Sequence, residues 1–200
     1  MTSTPGPAIA QLDDSKLAEA FRNLHGPSLH GFALLVALGE PEAAERAAGE
    51  ALAAGAQQAS ALRHPERAAA WLRARTLRAL HQGLSRGTAI PASARLATLG
   101  DLGVESVVYD ALAVLSLEGR AALVASAIER FEPLDTETIL GSSPAAARRV
   151  ISEARARYLQ AVEGQAGGEV GATSAQPEGE LAKRVREVAA RAMTPAWHPR

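Results

Sequence analysis

The chain has 200 residues, of which 47% are hydrophobic but only 4% aromatic, with 21 Lys+Arg against 22 Asp+Glu and no cysteine. That length suits one ordinary domain or two small ones, and the apolar fraction excludes wholesale disorder. The lack of cysteine excludes a disulfide framework, a Cys-based zinc site and thiol catalysis. The longest apolar run, 31–39, falls well short of the roughly 20 residues a membrane span needs, and MTSTPGPAIA has no charged start followed by an apolar core. A cytoplasmic protein without membrane association is therefore expected.

Alanine and leucine dominate, β-branched residues are sparse and nothing alternates with a period of two, so the fold class expected is all-α. Residues 1–12 read as a loose N-terminus. A first helical domain is expected over 13–86. In it Leu17, Phe21 and Leu24 form one amphipathic helix stopped by Gly26-Pro27, and Leu29, Phe32, Ala33 and Val36 form the buried stripe of a second. Pro41 suits the first turn of a third helix reaching about Leu62, and His64-Pro65-Glu66 opens a fourth lined by Trp71, Ala74, Leu77, Leu80 and Leu84.

Residues 87–103 are rich in Gly, Ala, Ser and Thr and read as a linker. A second domain over 104–162 is expected to hold helices at about 104–116, 118–130, 134–140 and 144–162. Between the last two, Gly141 suits a left-handed helix end, Ser143 an N-cap and Pro144 a first helical position. A short helix, a tight turn and a longer basic helix make a helix-turn-helix pattern. Beyond it, 163–180 reads as a tether, and Leu181, Val185, Val188 and Ala192 mark a C-terminal amphipathic helix that could fold back on the basic one.

Net charge is −1, yet its distribution is uneven. Residues 63–86 carry six arginines against one glutamate, 144–158 four arginines against one glutamate, and 40–50 four glutamates against one arginine. Two basic helices and one acidic helix would present distinct electrostatic faces.

Several stretches resemble the extracytoplasmic-function sigma factors, two-domain subunits that direct bacterial RNA polymerase to promoters. Leu117-Glu118-Gly119-Arg120-Ala121-Ala122-Leu123 is similar to the family's Leu-Pro-x-x-x-Arg-x-x-Leu, Ile139-Leu140-Gly141 to the end of its first helix-turn-helix element, and Ala154-Arg155-Ala156-Arg157-Tyr158-Leu159 to the end of its recognition helix. In the first domain, Phe21-x-x-Leu24-His25-Gly26-Pro27 resembles the family's opening, and Pro65-Glu66-Arg67-Ala68-x-Ala70-Trp71-Leu72 the stretch before the promoter-melting helix.

The resemblance covers about residues 15–160. It implies core RNA polymerase, double-stranded promoter DNA and an anti-sigma factor as partners. It also implies DNA contacts from Ser142, Ser143, Arg148, Arg149 and Arg155 and from Arg73, Arg75 and Arg78, and polymerase contacts from Glu42, Glu45, Arg46 and Glu50. Arg46, Ala47, Ala48 and Gly49 stand where the family carries Asp, Leu, Val and Gln, and Val150 and Glu153 stand where it carries arginines. These departures motivate an alternative, a degenerate sigma-like regulator or protein-interaction module without promoter melting. No enzyme is expected, and no cofactor or metal: the five histidines have no ligand spacing, and no phosphate-loop or Gly-x-Ser-x-Gly motif is present.

Overall fold

The computed structural model describes residues 7–59, 64–84 and 90–166, and all regular structure in them is helical. The expected C-terminal amphipathic helix and nearly all of the tether lie outside these residues. The elements are α1 (Pro7–Val36), α2 (Pro41–Gln57), a 3-10 turn (Pro65–Arg67), α3 (Ala68–Leu84), α4 (Ala92–Asp101), α5 (Ser106–Ala113), α6 (Leu117–Leu123), a π-helical turn (Val124–Ile128), α7 (Pro133–Leu140) and α8 (Pro144–Ala166).

α1 corrects two expectations: it begins at Pro7, inside the supposedly loose N-terminus, and it continues through Gly26-Pro27. Proline removes one N–H from the ladder and crowds the preceding turn. The Ser28 hydroxyl donates to the His25 carbonyl at 3.1 Å, and the flanking residues are held by burial of Leu29, Phe32, Ala33 and Val36. Tertiary packing of the stripe therefore outweighs the local break. The helix ends at Leu38 and Gly39, both left-handed, with the Gly39 N–H on the Leu34 carbonyl at 2.9 Å.

α2 buries an almost purely small face, Ala43, Ala44, Ala47, Ala48, Ala51, Gly55 and Ala56 with Leu52, against α1 and α3. A Cβ on Gly55 would stand 2.7 Å from the Phe21 ring and 3.0 Å from Leu72, whereas nothing lies within 4 Å of one on Gly49. Gly55→Ala is accordingly expected to lower stability by about 1–3 kcal/mol through overpacking. Gly49→Ala should raise it by about 0.5–1 kcal/mol through helix propensity. Urea denaturation of both variants checks the opposite signs.

The supposed linker is largely α4. Gly and Ser content suggested a flexible strand, but Ala92, Ala94, Leu96, Ala97 and Leu99 propagate a helix and Leu99 is fully buried. α4 also closes on the α1–α2 corner: a Cβ on Gly39 would stand 2.5 Å from the Arg95 carbonyl oxygen, and Arg95 Nε lies 2.8 Å from Glu40 Oε1.

In the C-terminal half, Ser116 caps α6 by accepting from the Gly119 N–H at 3.0 Å. The single helix expected over 118–130 ends early, because the chain widens into the π turn, where the Glu129 N–H bonds the Val124 carbonyl at 2.9 Å, and Arg130 then turns left-handed. α7 begins at Pro133 and ends at left-handed Gly141, and α8 follows after Ser142-Ser143.

One apolar cluster runs through both halves, from Phe21 and Phe32 through Leu72, Leu77 and Leu80 to Leu99, Tyr109, Leu123, Ile139 and Tyr158. α7 lies along α3, and α6 touches both α1 and α3. The halves expected to fold around separate cores share one.

Two histidines on α1 are sensitive to this packing. Burial, aided by the positive charge of Arg73, holds the His25 imidazole below its ordinary value of 6.5, and burial outweighs the pull of Glu45 to do the same at His30. The unfolded chain therefore binds more protons than the folded one as pH falls through 6.5, so this contribution to stability is present above 6.5 and is lost as pH drops towards the folded values. The urea midpoint should fall between pH 7.5 and 5.5, and should fall less in a His25→Gln/His30→Gln variant.

Candidate functional site

The α7–α8 corner follows from its sequence. Gly141 takes φ +60° without the strain a side chain would add, and its N–H bonds the Thr138 carbonyl at 3.2 Å. The Ser143 hydroxyl accepts from the Ala146 N–H at 3.4 Å and its carbonyl from the Ala147 N–H at 2.9 Å. Ser142 is half-buried, and its hydroxyl oxygen is enclosed with no hydrogen-bond partner.

α8 buries Ala147, Ala154 and Tyr158 and turns Arg148, Arg149, Arg155 and Arg157 outward. Arg148 and Arg155, seven residues apart, lie on one line of the helix, with Arg149 beside them. Arg149 Nε stands 3.9 Å from Glu153 Oε1, a loose exposed pair that leaves its guanidinium free to reorient. The structure thus brings the expected residues of the second half to one exposed basic surface.

On α2, Glu42, Glu45, Arg46 and Glu50 project from the side opposite the alanines. The Arg46 guanidinium leans onto α3, 3.1 Å from where a Cβ on Gly83 would stand.

The expected arginines of α3 separate. Arg78 is exposed, and Arg75 is half-buried with its guanidinium 5.0 Å from the Trp71 ring centre. Arg73, expected on a DNA-facing surface, is instead 3% exposed. Its Nε donates to Glu129 Oε2 at 2.6 Å, its Nη2 to Glu129 Oε1, and its Nη1 to the Ala69 carbonyl at 3.0 Å. The guanidinium also lies 4.9 Å from the Phe131 ring centre and 5.7 Å from that of Phe32. A sequence signal for this existed: Arg73 falls in line with Thr76, Leu77 and Leu80 on the inner stripe of α3, where a charge requires a partner.

Further residues not singled out from sequence join the halves. Arg67 donates from Nε to Asp135 Oδ1 at 3.0 Å and from Nη2 to Thr138 Oγ1 at 2.9 Å. His81 Nε2 lies 2.9 Å from Glu118 Oε1. Arg120 donates to the Val36 carbonyl at 2.6 Å and the Leu115 carbonyl at 2.7 Å, placing its charge at the C-terminus of α1, where the helix dipole favours a cation. Burial, with Arg95 nearby, pushes the Arg120 guanidinium below its ordinary value.

Among the described residues no group of three or more His, Asp or Glu side chains is arranged to hold a metal, and no helix is long and apolar enough to cross a membrane. No protein-family model, curated protein or solved structure matches the chain.

Proposed function

We propose that the protein is a sigma-factor-like transcription initiation protein of the cytoplasm, in which α7 and α8 act as a helix-turn-helix on duplex promoter DNA and the outer face of α2 meets core RNA polymerase. The observation that carries the reading is the α7–α8 corner: a left-handed glycine and a capping serine lead into a long helix whose arginines face solvent. Recognition helices of this kind enter the major groove with their N-terminal side chains at base edges. Arg148 and Arg149 then supply base and phosphate contacts, Arg155 a positioning contact to phosphate, and Ser142 and Ser143 the backbone approach. The mechanism is recruitment rather than chemistry. Glu42, Glu45 and Glu50, with Arg46 among them, form the polymerase-facing patch, and an anti-sigma factor would compete for the same surfaces.

Run-off transcription with core RNA polymerase across a genomic promoter library tests this. A promoter-dependent transcript is expected, and none across the whole library would sink the proposal.

Burial of Arg73 favours a second reading, a sigma-like regulator or interaction module that does not melt promoters. Melting also needs exposed rings on which flipped bases stack. Phe21, Phe32, Tyr109 and Tyr158 are all buried. Under this reading core polymerase does not capture the protein, and Arg46→Asp, which restores the family's charge, gains binding.

A further inference from the structure

The basic α3 and the acidic segment packed against it are matched in charge. Residues 63–86 carry six arginines against Glu66, while Glu129, Glu132, Asp135 and Glu137 face only Arg130 within 129–137. Two of those acids meet two of those arginines directly: Glu129 grips Arg73 through both oxygens, and Asp135 takes Arg67. A guanidinium held by two oxygens has the geometry it would adopt on a phosphate. The Thr138 hydroxyl completes the Arg67 contact. Without these acids the chain would expose two more arginines on the α3 side that also bears Arg78.

We infer that Glu129 and Asp135 are an internal competitor for nucleic acid, standing where DNA phosphates would bind Arg67 and Arg73 and keeping α3 closed on α7. The α8 arginines lie outside this contact and stay exposed in the closed form. Duplex DNA is therefore first held by α8 alone. Separation of the halves transfers Arg67 and Arg73 from carboxylates to phosphates, so that DNA and the acidic segment exclude each other at α3. This inference rests on the DNA-binding reading of α8, and the two are separable by experiment.

The absence of cysteine from the sequence permits a direct test. Gln82→Cys on α3 and Ala113→Cys on α5, both at exposed positions, take a fluorophore pair that reports the separation of the halves. Full-length protein carrying the pair is titrated with a random-sequence duplex of about 30 base pairs at several salt concentrations. Each phosphate contact contributes about −0.9 to the slope of log K against log salt. In Glu129→Gln/Asp135→Asn the label separation should increase without DNA, and the slope should steepen by about 2. Asp135→Asn alone, at a partly exposed pair that folding tolerates losing, should steepen it by about 1.

Unchanged slopes in both variants, with helical content intact by circular dichroism, would overturn the inference. So would a label separation in the double variant equal to that of the unsubstituted pair. An Arg148→Ala/Arg149→Ala protein that binds DNA as well as the parent would overturn the α8 reading instead, whatever the acid variants do.

Discussion

Replacing Glu129 with leucine is expected to lower stability by about 3–5 kcal/mol, because it strands the buried Arg73 guanidinium without its counter-charge. Against a total of about 5–15 kcal/mol for a domain of this size, that is a large fraction. Replacing both partners, as Arg73→Met/Glu129→Leu, should recover most of the loss, since two apolar side chains between Phe32 and Phe131 remove the desolvated charges together. Asp135→Asn should cost under about 1 kcal/mol, because the Arg67–Asp135 pair is partly hydrated. Urea denaturation followed by circular dichroism compares the three. A Glu129→Leu protein within about 1 kcal/mol of the parent would mean that Arg73 is not enclosed as described.

The second large effect is on nucleic acid. Under the proposed function, Arg148→Ala and Arg149→Ala should each cost about 1–3 kcal/mol in promoter affinity, between five-fold and somewhat over a hundred-fold, if each guanidinium reaches a base edge. Arg155→Ala should instead weaken binding similarly for all sequences and reduce the salt slope by about 1, the mark of a phosphate contact. Arg22→Ala, on the exposed side of α1, is the control and should change neither. Fluorescence anisotropy against a cognate and a scrambled duplex separates these outcomes. Equal loss on both duplexes for Arg148→Ala would place that side chain on the backbone rather than on bases.

Much of the secondary structure was legible because it is written in local spacing. The Gly141, Ser143 and Pro144 signals describe a turn whose residues touch only one another and their own helices, and α8 starts where they place it. Failures occurred where distant packing decided the outcome. Pro27 is a break by any local rule, yet the buried stripe on both of its sides keeps α1 continuous. Leu99 made α4 a helix by reaching a core that composition did not reveal.

The candidate surfaces divide in the same way. The outward direction of Arg148, Arg149 and Arg155 followed from helical periodicity against Ala147, Ala154 and Tyr158. The fate of Arg73 did not, because its partner lies 56 positions away. Its place on the inner stripe signalled a need for an acid but not which one. The shared core hid for a related reason: Leu72, Leu80, Leu123 and Ile139 each read as apolar face of their own helix, and nothing in either pattern says that the faces meet.

The π turn at Val124–Ile128 makes this arrangement depend on chain length as well as on side chains. Such a turn holds one residue more than the α-helix it interrupts. Deleting a single residue there would let α6 run on as an ordinary helix and rotate everything after it by about 100°. Glu129 and Phe131 would swing away from Arg73 together, although neither had been altered. A one-codon deletion is thus a change of register that unpairs the two halves, and insertions or deletions in this short segment should be far less tolerated than substitutions within it.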